Sequence, residues 1–267
     1  MPILSLVLLA IIQGVTEFLP ISSSGHLALF PALTGQTDQG LLIDVSLHVG
    51  TLAAVMVYFR KETAEALRGT GHLLTRRWDT AESKLAFLLA LATVPVVIAG
   101  GLLSTLGLTE AMRSVEVIAW ASIVFGIVLW IADMKGAQEK VAGDWSWRDA
   151  AIMGLAQAVA LIPGTSRSGI TMTAARGLGY TRVEAARLSL LMSIPTILAS
   201  GILATKDLVE AGDQTLGLDA LIGAGLSFVA ALLALTLMMR MLRTWSMTPF
   251  VIYRVALGVL LLVWVYA

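Results

Sequence analysis

The sequence contains no cysteine and few charged residues. Without cysteine the chain has no disulfide bonds, no thiolate catalysis and no cysteine-ligated metal. Only 13% of its 267 residues are charged, whereas a soluble domain has about 25%. The formal net charge is zero, so overall charge indicates no class of partner. HExxH, P-loop and nucleic-acid-binding motifs are also absent, and we expect no nucleic-acid partner.

Long apolar segments account for most of the remaining sequence. Hydrophobic residues make up 57% of the chain, which leaves too little polar surface to face water on all sides. Six segments are about long enough to cross the roughly 30 Å hydrocarbon core of a bilayer as helices. We therefore expect an all-α integral membrane protein with a single membrane domain over residues 1–267. The six segments are Gly40–Phe59, Leu85–Leu103, Val115–Ile131, Ala185–Ala204, Ala220–Met239 and Pro249–Tyr266.

Two further apolar regions, residues 2–34 and 148–178, are broken in the middle. The first is interrupted at Pro20 and a serine cluster, and the second at Pro163 and Gly164. In each region the apolar piece after the break is too short to cross a bilayer. Apolar segments interrupted by Gly and Pro are typical of re-entrant helix-loop-helix pairs, and we expect one such pair in each region.

The two broken regions resemble each other. Gln13–Gly25 is QGVTEFLPISSSG and Gln157–Gly169 is QAVALIPGTSRSG, and each has a proline midway and a serine before the final glycine. Three long apolar segments follow each region, so the chain looks like two copies of one unit, residues 1–133 and 145–267. An odd number of spans inverts the second copy, and the two polar loops then meet near the middle of the membrane. Chance similarity between polar loops is the alternative.

Loop charges indicate the orientation. Residues 60–84 contain six Lys or Arg against four acids, while residues 206–219 contain one Lys against four acids. The short loop with Arg240 and Arg243 has no acidic neighbour. The positive-inside rule places the first and third of these segments in the cytoplasm and the second outside. Both termini are then expected outside.

The second polar loop has the composition of a phosphate site. An arginine within an apolar segment costs about 2.5–3.5 kcal/mol on insertion scales, so Arg167 should face a polar cavity and an anionic partner. Its guanidinium matches phosphate oxygens, and the helix that follows, capped by Thr165 or Ser166, offers free N–H groups. A buried ion pair with Glu17 is the alternative, and the two roles are compatible.

The first polar loop carries a buried carboxylate. Gln13 and Glu17 are four residues apart and so lie on one helix face. A carboxylate beside a phosphate would repel it unless a cation intervened, and Mg²⁺ is often held by one or two carboxylates plus substrate phosphates. Glu17 is thus a candidate metal ligand with Gln13 as its neutral neighbour, and a protonated Glu17 within the helix bundle is the alternative.

The serine cluster offers a candidate nucleophile. One of its serines can cap the short helix, and Ser23 and His26 are three apart, so they can share a face as nucleophile and base. Capping together with a hydrogen-bonded histidine is the alternative. His48, with Asp44 one turn before it, is interpreted as half of a structural pair, with a role in lining a polar site as the alternative.

EFLPISSSGH, with Gln13 upstream, and PGTSRSG resemble the two signature regions of bacterial undecaprenyl-diphosphatases of the bacitracin-resistance type. The resemblance implies hydrolysis of undecaprenyl diphosphate to the monophosphate and inorganic phosphate, which recycles the lipid carrier for cell-wall synthesis and confers bacitracin resistance. It also implies an inverted repeat with two re-entrant regions, a requirement for Mg²⁺ or Ca²⁺, and a homodimer. The location it implies is the cytoplasmic (inner) membrane, with the active site open to the outer face.

The resemblance also assigns roles to particular residues. Arg167 and its loop would hold the diphosphate, Glu17 would bind the cation, and His26 would act as base on Ser23 or on a water molecule. Gln13 occupies a position where some members have Glu, which leaves Glu17 as the only carboxylate of that motif. A transporter or flippase of polyprenyl phosphate lipids is the alternative function. The resemblance and the composition of the two polar loops together predict a set of substrate-binding residues: Gln13, Ser22, Ser24, Gly164, Thr165, Ser166, Ser168, Gly169 and Thr171.

Overall fold

The computed structural model describes residues 2–35, 39–107, 112, 114–210 and 217–267, with the backbone alone for residues 205–210. The described part of the chain contains helices and no β-strand, which confirms the all-α prediction. A short 3₁₀ helix lies at Ala142–Asp144. The α-helices are α1 (Ile3–Thr16), α2 (Ser23–Thr34), α3 (Leu41–Tyr58), α4 (Arg60–Leu74), α5 (Ala81–Thr105), α6 (Val115–Lys135), α7 (Trp147–Val159), α8 (Arg167–Gly177), α9 (Arg182–Glu210), α10 (Leu218–Met241) and α11 (Thr248–Tyr266).

Six of these helices are long and apolar enough to cross a membrane: α3, α5, α6, α9, α10 and α11. Each lies where an apolar segment predicts it. Large apolar side chains such as Leu233, Leu237 and Leu260 are exposed on their outer faces, as lipid-facing side chains are. The protein is therefore a multi-pass membrane protein. The charged side chains of the predicted outer loop, residues 206–219, lie outside the described residues except for Asp219.

The remaining helices include two short pairs, α1 with α2 and α7 with α8. At 1.5 Å per residue, the 12 residues of α2 and the 11 of α8 are too short to cross a bilayer. Helix α4 was not predicted, because the basic segment that contains it was interpreted only for its charge. It is an amphipathic helix that packs against α5.

Helix packing brings the two breaks together. Helix α1 packs against α10, α7 packs against α5, and α3 packs against α9. The contacts are close because they use small residues: a Cβ added at Gly14 would lie 2.5 Å from Ala230 Cβ, and one added at Gly154 would lie 2.7 Å from Ala92 O. Ser168 Oγ of one break donates to Leu19 O of the other at 2.8 Å, so the two breaks touch directly.

Candidate functional site

The two breaks start their second helices in the same way. Ser22 caps α2 by accepting a hydrogen bond from Gly25 N, and Ser166 caps α8 by accepting one from Gly169 N. Both serines have left-handed backbone conformations, with φ of 75° and 70°. Such conformations cost about 1–3 kcal/mol and persist only where the surrounding structure imposes them. The structure thus confirms a serine cap in each loop and assigns the second to Ser166 rather than Thr165.

A buried arginine on α11 holds both loops. Arg254 is fully buried, and its Nη2 donates to Gly164 O at 3.0 Å and to Thr165 O at 2.8 Å. Its Nη1 lies 3.4 Å from Pro20 O. A side chain at Gly169 would displace this guanidinium, because an added Cβ would lie 2.8 Å from Arg254 Nη1. The guanidinium therefore fixes the position of one loop relative to the other.

Glu17 is the centre of the polar contacts between the loops. Its Oε1 accepts a hydrogen bond from Arg167 Nη2 at 2.9 Å, which closes an ion pair between side chains only 7% and 14% exposed. Its Oε2 accepts from Ser23 Oγ at 2.5 Å and from Gln13 Nε2 at 3.1 Å. His48 Nε2 lies 3.8 Å from the same oxygen. The expected anionic partner of Arg167 is thus Glu17.

One cavity of about 490 Å³ lies between the two loops and the helices α3 and α9. Its lining includes Glu17, Ser23, His48 and Arg167, but not Gln13. Arg167 Nη1, on its wall, has no hydrogen-bond partner among the described residues. Because a buried guanidinium N–H without a partner is costly, that atom is suited to donate hydrogen bonds to an anionic ligand. The polar residues that line the cavity are Glu17, Ser22, Ser23, Ser24, His48, Ser166, Arg167, Thr196 and Ser200.

The structure does not bring His26 into this cavity. Its Nδ1 lies 2.7 Å from Ser22 O and must donate to that carbonyl, so its Nε2 accepts from the Tyr253 hydroxyl at 2.6 Å. The two rings stack with their centroids 5.7 Å apart. In this arrangement Ser23 and His26 have different hydrogen-bond partners, Glu17 and Tyr253. The role of His26 as a base stays a prediction.

Several other predicted binding residues lie behind the cavity wall. Gln13 is fully buried beneath Glu17. Thr171 Oγ1 contacts Arg167 O at 2.8 Å and Ser189 Oγ at 2.6 Å, so it supports the arginine from behind. Gly164 and Thr165 present their carbonyls to Arg254, and neither they nor Ser168 and Gly169 line the cavity. Their contacts with a ligand stay predictions.

Two residues in the site were missed or undervalued by the sequence analysis. His48, interpreted as structural, donates from Nδ1 to Asp44 O at 2.7 Å and lines the cavity beside Glu17. Its spacing four residues after Asp44 was visible but does not show which side of α3 faces the site. Arg254 lies within the last apolar segment, and a charged residue at that depth was the signal that could have found it.

The donor set fits a divalent cation only in combination with a phosphate ligand. Among the described residues, no group of three or more His, Asp or Glu could hold a metal alone. One carboxylate, Glu17, is present, and the buried Gln13 Oε1 has no hydrogen-bond partner in the described part of the chain. These are the hard oxygen donors that Mg²⁺ accepts together with substrate phosphates.

Fold and cavity define a multi-pass helical membrane protein with a buried carboxylate–arginine site between two broken helices. Over residues 6–260 the chain matches the family described as "Bacitracin resistance protein BacA", and it belongs to that family. It is 57% identical over 267 residues to an undecaprenyl-diphosphatase of Jannaschia sp. (strain CCS1), with all of both chains covered. It is 58% identical, again over the whole of both chains, to an undecaprenyl-diphosphatase of Dinoroseobacter shibae. With that of Ruegeria pomeroyi it shares 57% identity over 98% of each chain.

Proposed function

We propose that the protein hydrolyses undecaprenyl diphosphate to undecaprenyl phosphate and inorganic phosphate. The observation that carries this proposal is the cavity in which Arg167, Glu17 and Ser23 are held together by two loops. The names of the relatives support the same reaction, which would recycle a lipid carrier for cell-wall synthesis and confer bacitracin resistance. Transport of polyprenyl phosphate lipids receives no support from these relatives.

The chain's own groups suggest how the reaction proceeds. Arg167 Nη1 has no partner among the described residues and can donate to a phosphate oxygen, and the first turn of α8 has N–H groups without partners in the helix. Ser23 Oγ already donates its hydrogen to Glu17 Oε2, so the carboxylate can take that proton as the hydroxyl attacks the terminal phosphorus. The bond that breaks joins this phosphorus to the bridging oxygen, which leaves with undecaprenyl phosphate. Water then cleaves the phosphoserine and releases phosphate.

A divalent cation is part of the proposal. Glu17 and Gln13 Oε1 would hold Mg²⁺ or Ca²⁺ together with phosphate oxygens of the substrate. When bound, the cation offsets negative charge on the phosphates during displacement. The chain supplies a single carboxylate for it, so we expect weak cation binding without substrate and tighter binding with it.

Phosphate release by the purified protein in detergent tests the function. With undecaprenyl diphosphate and Mg²⁺ we expect inorganic phosphate to appear, and we expect EDTA to stop the reaction until Mg²⁺ is restored. An Arg167→Ala preparation of equal purity controls for contaminating phosphatases. Absence of phosphate release from the wild-type protein would overturn the proposal, and transport of polyprenyl phosphate lipids would then be the function to test.

We place the protein in the cytoplasmic membrane as an inverted repeat with two re-entrant pairs, with the cavity and both termini on the outer side. The matching caps Ser22 and Ser166 support the repeat. The packing supports it too, because the first helix of each proposed copy packs against a helix of the other copy, α1 on α10 and α7 on α5. In intact cells, Ala267→Cys should react with an impermeant thiol reagent, whereas Leu74→Cys should react only after permeabilisation.

The homodimer stays a prediction. Its test is the mass of the purified protein in detergent, corrected for bound detergent. A monomer at concentrations that support full turnover would remove the dimer from the proposal without affecting the reaction.

A further inference from the structure

A second cavity begins where the first one ends. It is a groove of about 280 Å³ between α3 and α9, and His48 and Ile197 line both it and the polar cavity. Apart from His48, its walls are apolar or glycine, with Leu52 at its base. Val49 and Leu198, on its rim, are 50% and 44% exposed, so the groove opens on the outer surface of the bundle.

Continuity with the polar cavity distinguishes this groove from a rival. A larger apolar groove of about 460 Å³ runs along α1 and α10, but none of its lining residues also lines the polar cavity. A molecule whose charged end binds at Arg167 and Glu17 can extend past His48 into the α3–α9 groove and stay in contact with the protein along its length. The same molecule would have to cross α1 to reach the rival groove.

We infer that the α3–α9 groove is the subsite for the first isoprene units of the substrate's prenyl chain. This inference rests on the proposed function and adds the path by which the lipid enters. The occupant is a prenyl chain rather than an unrelated lipid because the groove starts at the wall of the diphosphate cavity. Inside a bilayer the tail is already in an apolar solvent, so the groove adds little binding energy. Its effect is to direct the phosphate toward Ser23.

Gly201 provides a position from which the groove can be closed. It lines the groove on α9, and an added Cβ would meet no described heavy atom within 4 Å beyond the helix's own backbone. Gly225 on α10 is equally open to an added Cβ but lines neither this groove nor the polar cavity. Because the wild-type chain has no cysteine, Gly201→Cys and Gly225→Cys each create a single thiol that can be modified after folding.

The test compares the two cysteine variants before and after alkylation with N-benzylmaleimide. The rate of each unmodified variant, measured with undecaprenyl diphosphate and with shorter prenyl diphosphates, is the reference for its alkylated form. After alkylation, Gly201→Cys should lose about tenfold or more in kcat/KM with undecaprenyl diphosphate. The kcat/KM of alkylated Gly201→Cys, divided by that of the wild type, should rise again as the prenyl chain is shortened. The series ends at the shortest substrate that the wild type hydrolyses. Alkylated Gly225→Cys should show no such dependence on chain length.

A second measurement does not require hydrolysis. Undecaprenyl diphosphate should slow alkylation of Gly201→Cys, whereas inorganic diphosphate and a bilayer phospholipid should not. Equal loss of activity with long and short substrates, or equal protection by phospholipid, would overturn the groove as a substrate subsite. Protection without phosphate release would leave the subsite standing and count against the proposed reaction.

Discussion

The two loops that form the cavity have similar backbone conformations at their capping serines, but their other side chains differ. Counted from Gln13 and Gln157, the capping serines Ser22 and Ser166 are equivalent, but Ser23 corresponds to Arg167. The position of Glu17 is taken by Leu161 in the second region. One region therefore supplies the carboxylate and the hydroxyl, and the other supplies the guanidinium of Arg167.

This division has a physical reason. Two carboxylates or two arginines on equivalent loops would repel each other across a cavity with a low dielectric constant. An unpaired charge in such a place would also have to be stripped of water. Opposite charges in the two regions neutralise each other while no ligand is bound. When a ligand binds, Arg167 can pair with a phosphate and Glu17 with a divalent cation.

Removal of Arg167 should have the largest effect. Arg167→Ala takes away the only cation of the second loop and leaves Glu17 buried without its ion-pair partner. We expect turnover to fall about 10³-fold or more, as when an arginine that stabilises transferring phosphate is lost. Arg167→Lys should recover part of the loss, since it keeps the charge without the guanidinium fork. Phosphate release measures both.

Arg187→Ala is the matched control for that prediction. Arg187 pairs with Glu62 at 2.6 Å and lies outside the cavity. Its loss should leave turnover within about threefold of wild type, since a partly exposed pair contributes little. Near-normal rates in Arg167→Ala would show that the phosphate does not bind where we place it.

The equivalent position in the first loop should come next. Ser23→Ala removes the hydroxyl that donates to Glu17 but leaves the Arg167–Glu17 pair intact. If Ser23 is the nucleophile, turnover should fall about 10²–10³-fold. Ser24→Ala, one residue further along the cavity wall, should cost about tenfold or less.

Acid quenching sharpens the Ser23 result. A phosphoserine trapped on the wild-type enzyme, and absent from Ser23→Ala, would identify the residue that is attacked. Substantial turnover in Ser23→Ala without a trapped intermediate would make water the nucleophile and reduce Ser23 to a positioning role.

Substitution of Arg254 should have a smaller effect on the reaction, because this residue contacts the loops but does not line the cavity. Arg254→Met removes the hydrogen bonds to Pro20 O, Gly164 O and Thr165 O. Each buried carbonyl left without a donor lowers the free energy of unfolding by about 1–3 kcal/mol. We expect a lower melting temperature and a roughly tenfold fall in kcat, since the charges on the two loops are no longer aligned.

The control for Arg254 is Arg176, which is just as buried but bonds Asp133 and backbone carbonyls away from the cavity. Arg176→Met should lower the melting temperature without changing kcat of the folded fraction. If the two variants lose kcat equally, Arg254 acts on stability alone and does not align the loops.

Arg254 also illustrates what the sequence can and cannot predict. The breaks and the pairing of Arg167 with a buried acid follow from local rules, because proline, glycine and an intramembrane charge leave few alternatives. The partners of Arg254 are backbone carbonyls up to 234 positions away, and carbonyls have no side-chain pattern to find. Its role became visible only after folding.

Ser23 and His26 have different hydrogen-bond partners for a related reason. Three residues of a helix turn the side chain by about 300°, which leaves the two side chains at neighbouring positions on one face. Which neighbours they meet depends on α11, whose Tyr253 is 227 positions away and takes the imidazole instead. A helical spacing gives the relative direction of two side chains but not the element that lies there.

Loss of this His26–Tyr253 contact should have the smallest effect. The prediction tests whether the first loop needs a supporting contact, as we expect of the second loop. His26→Ala and Tyr253→Phe each break the hydrogen bond between Nε2 and the hydroxyl, which lies outside the cavity. If the pair only positions α2, each variant should lose about tenfold or less, and the double variant no more than the worse of the two. The pH of half-maximal turnover should then stay unchanged, because no group that transfers a proton is lost. A loss confined to His26→Ala, accompanied by a changed pH profile, would instead make His26 a base and require α2 to rotate when substrate binds.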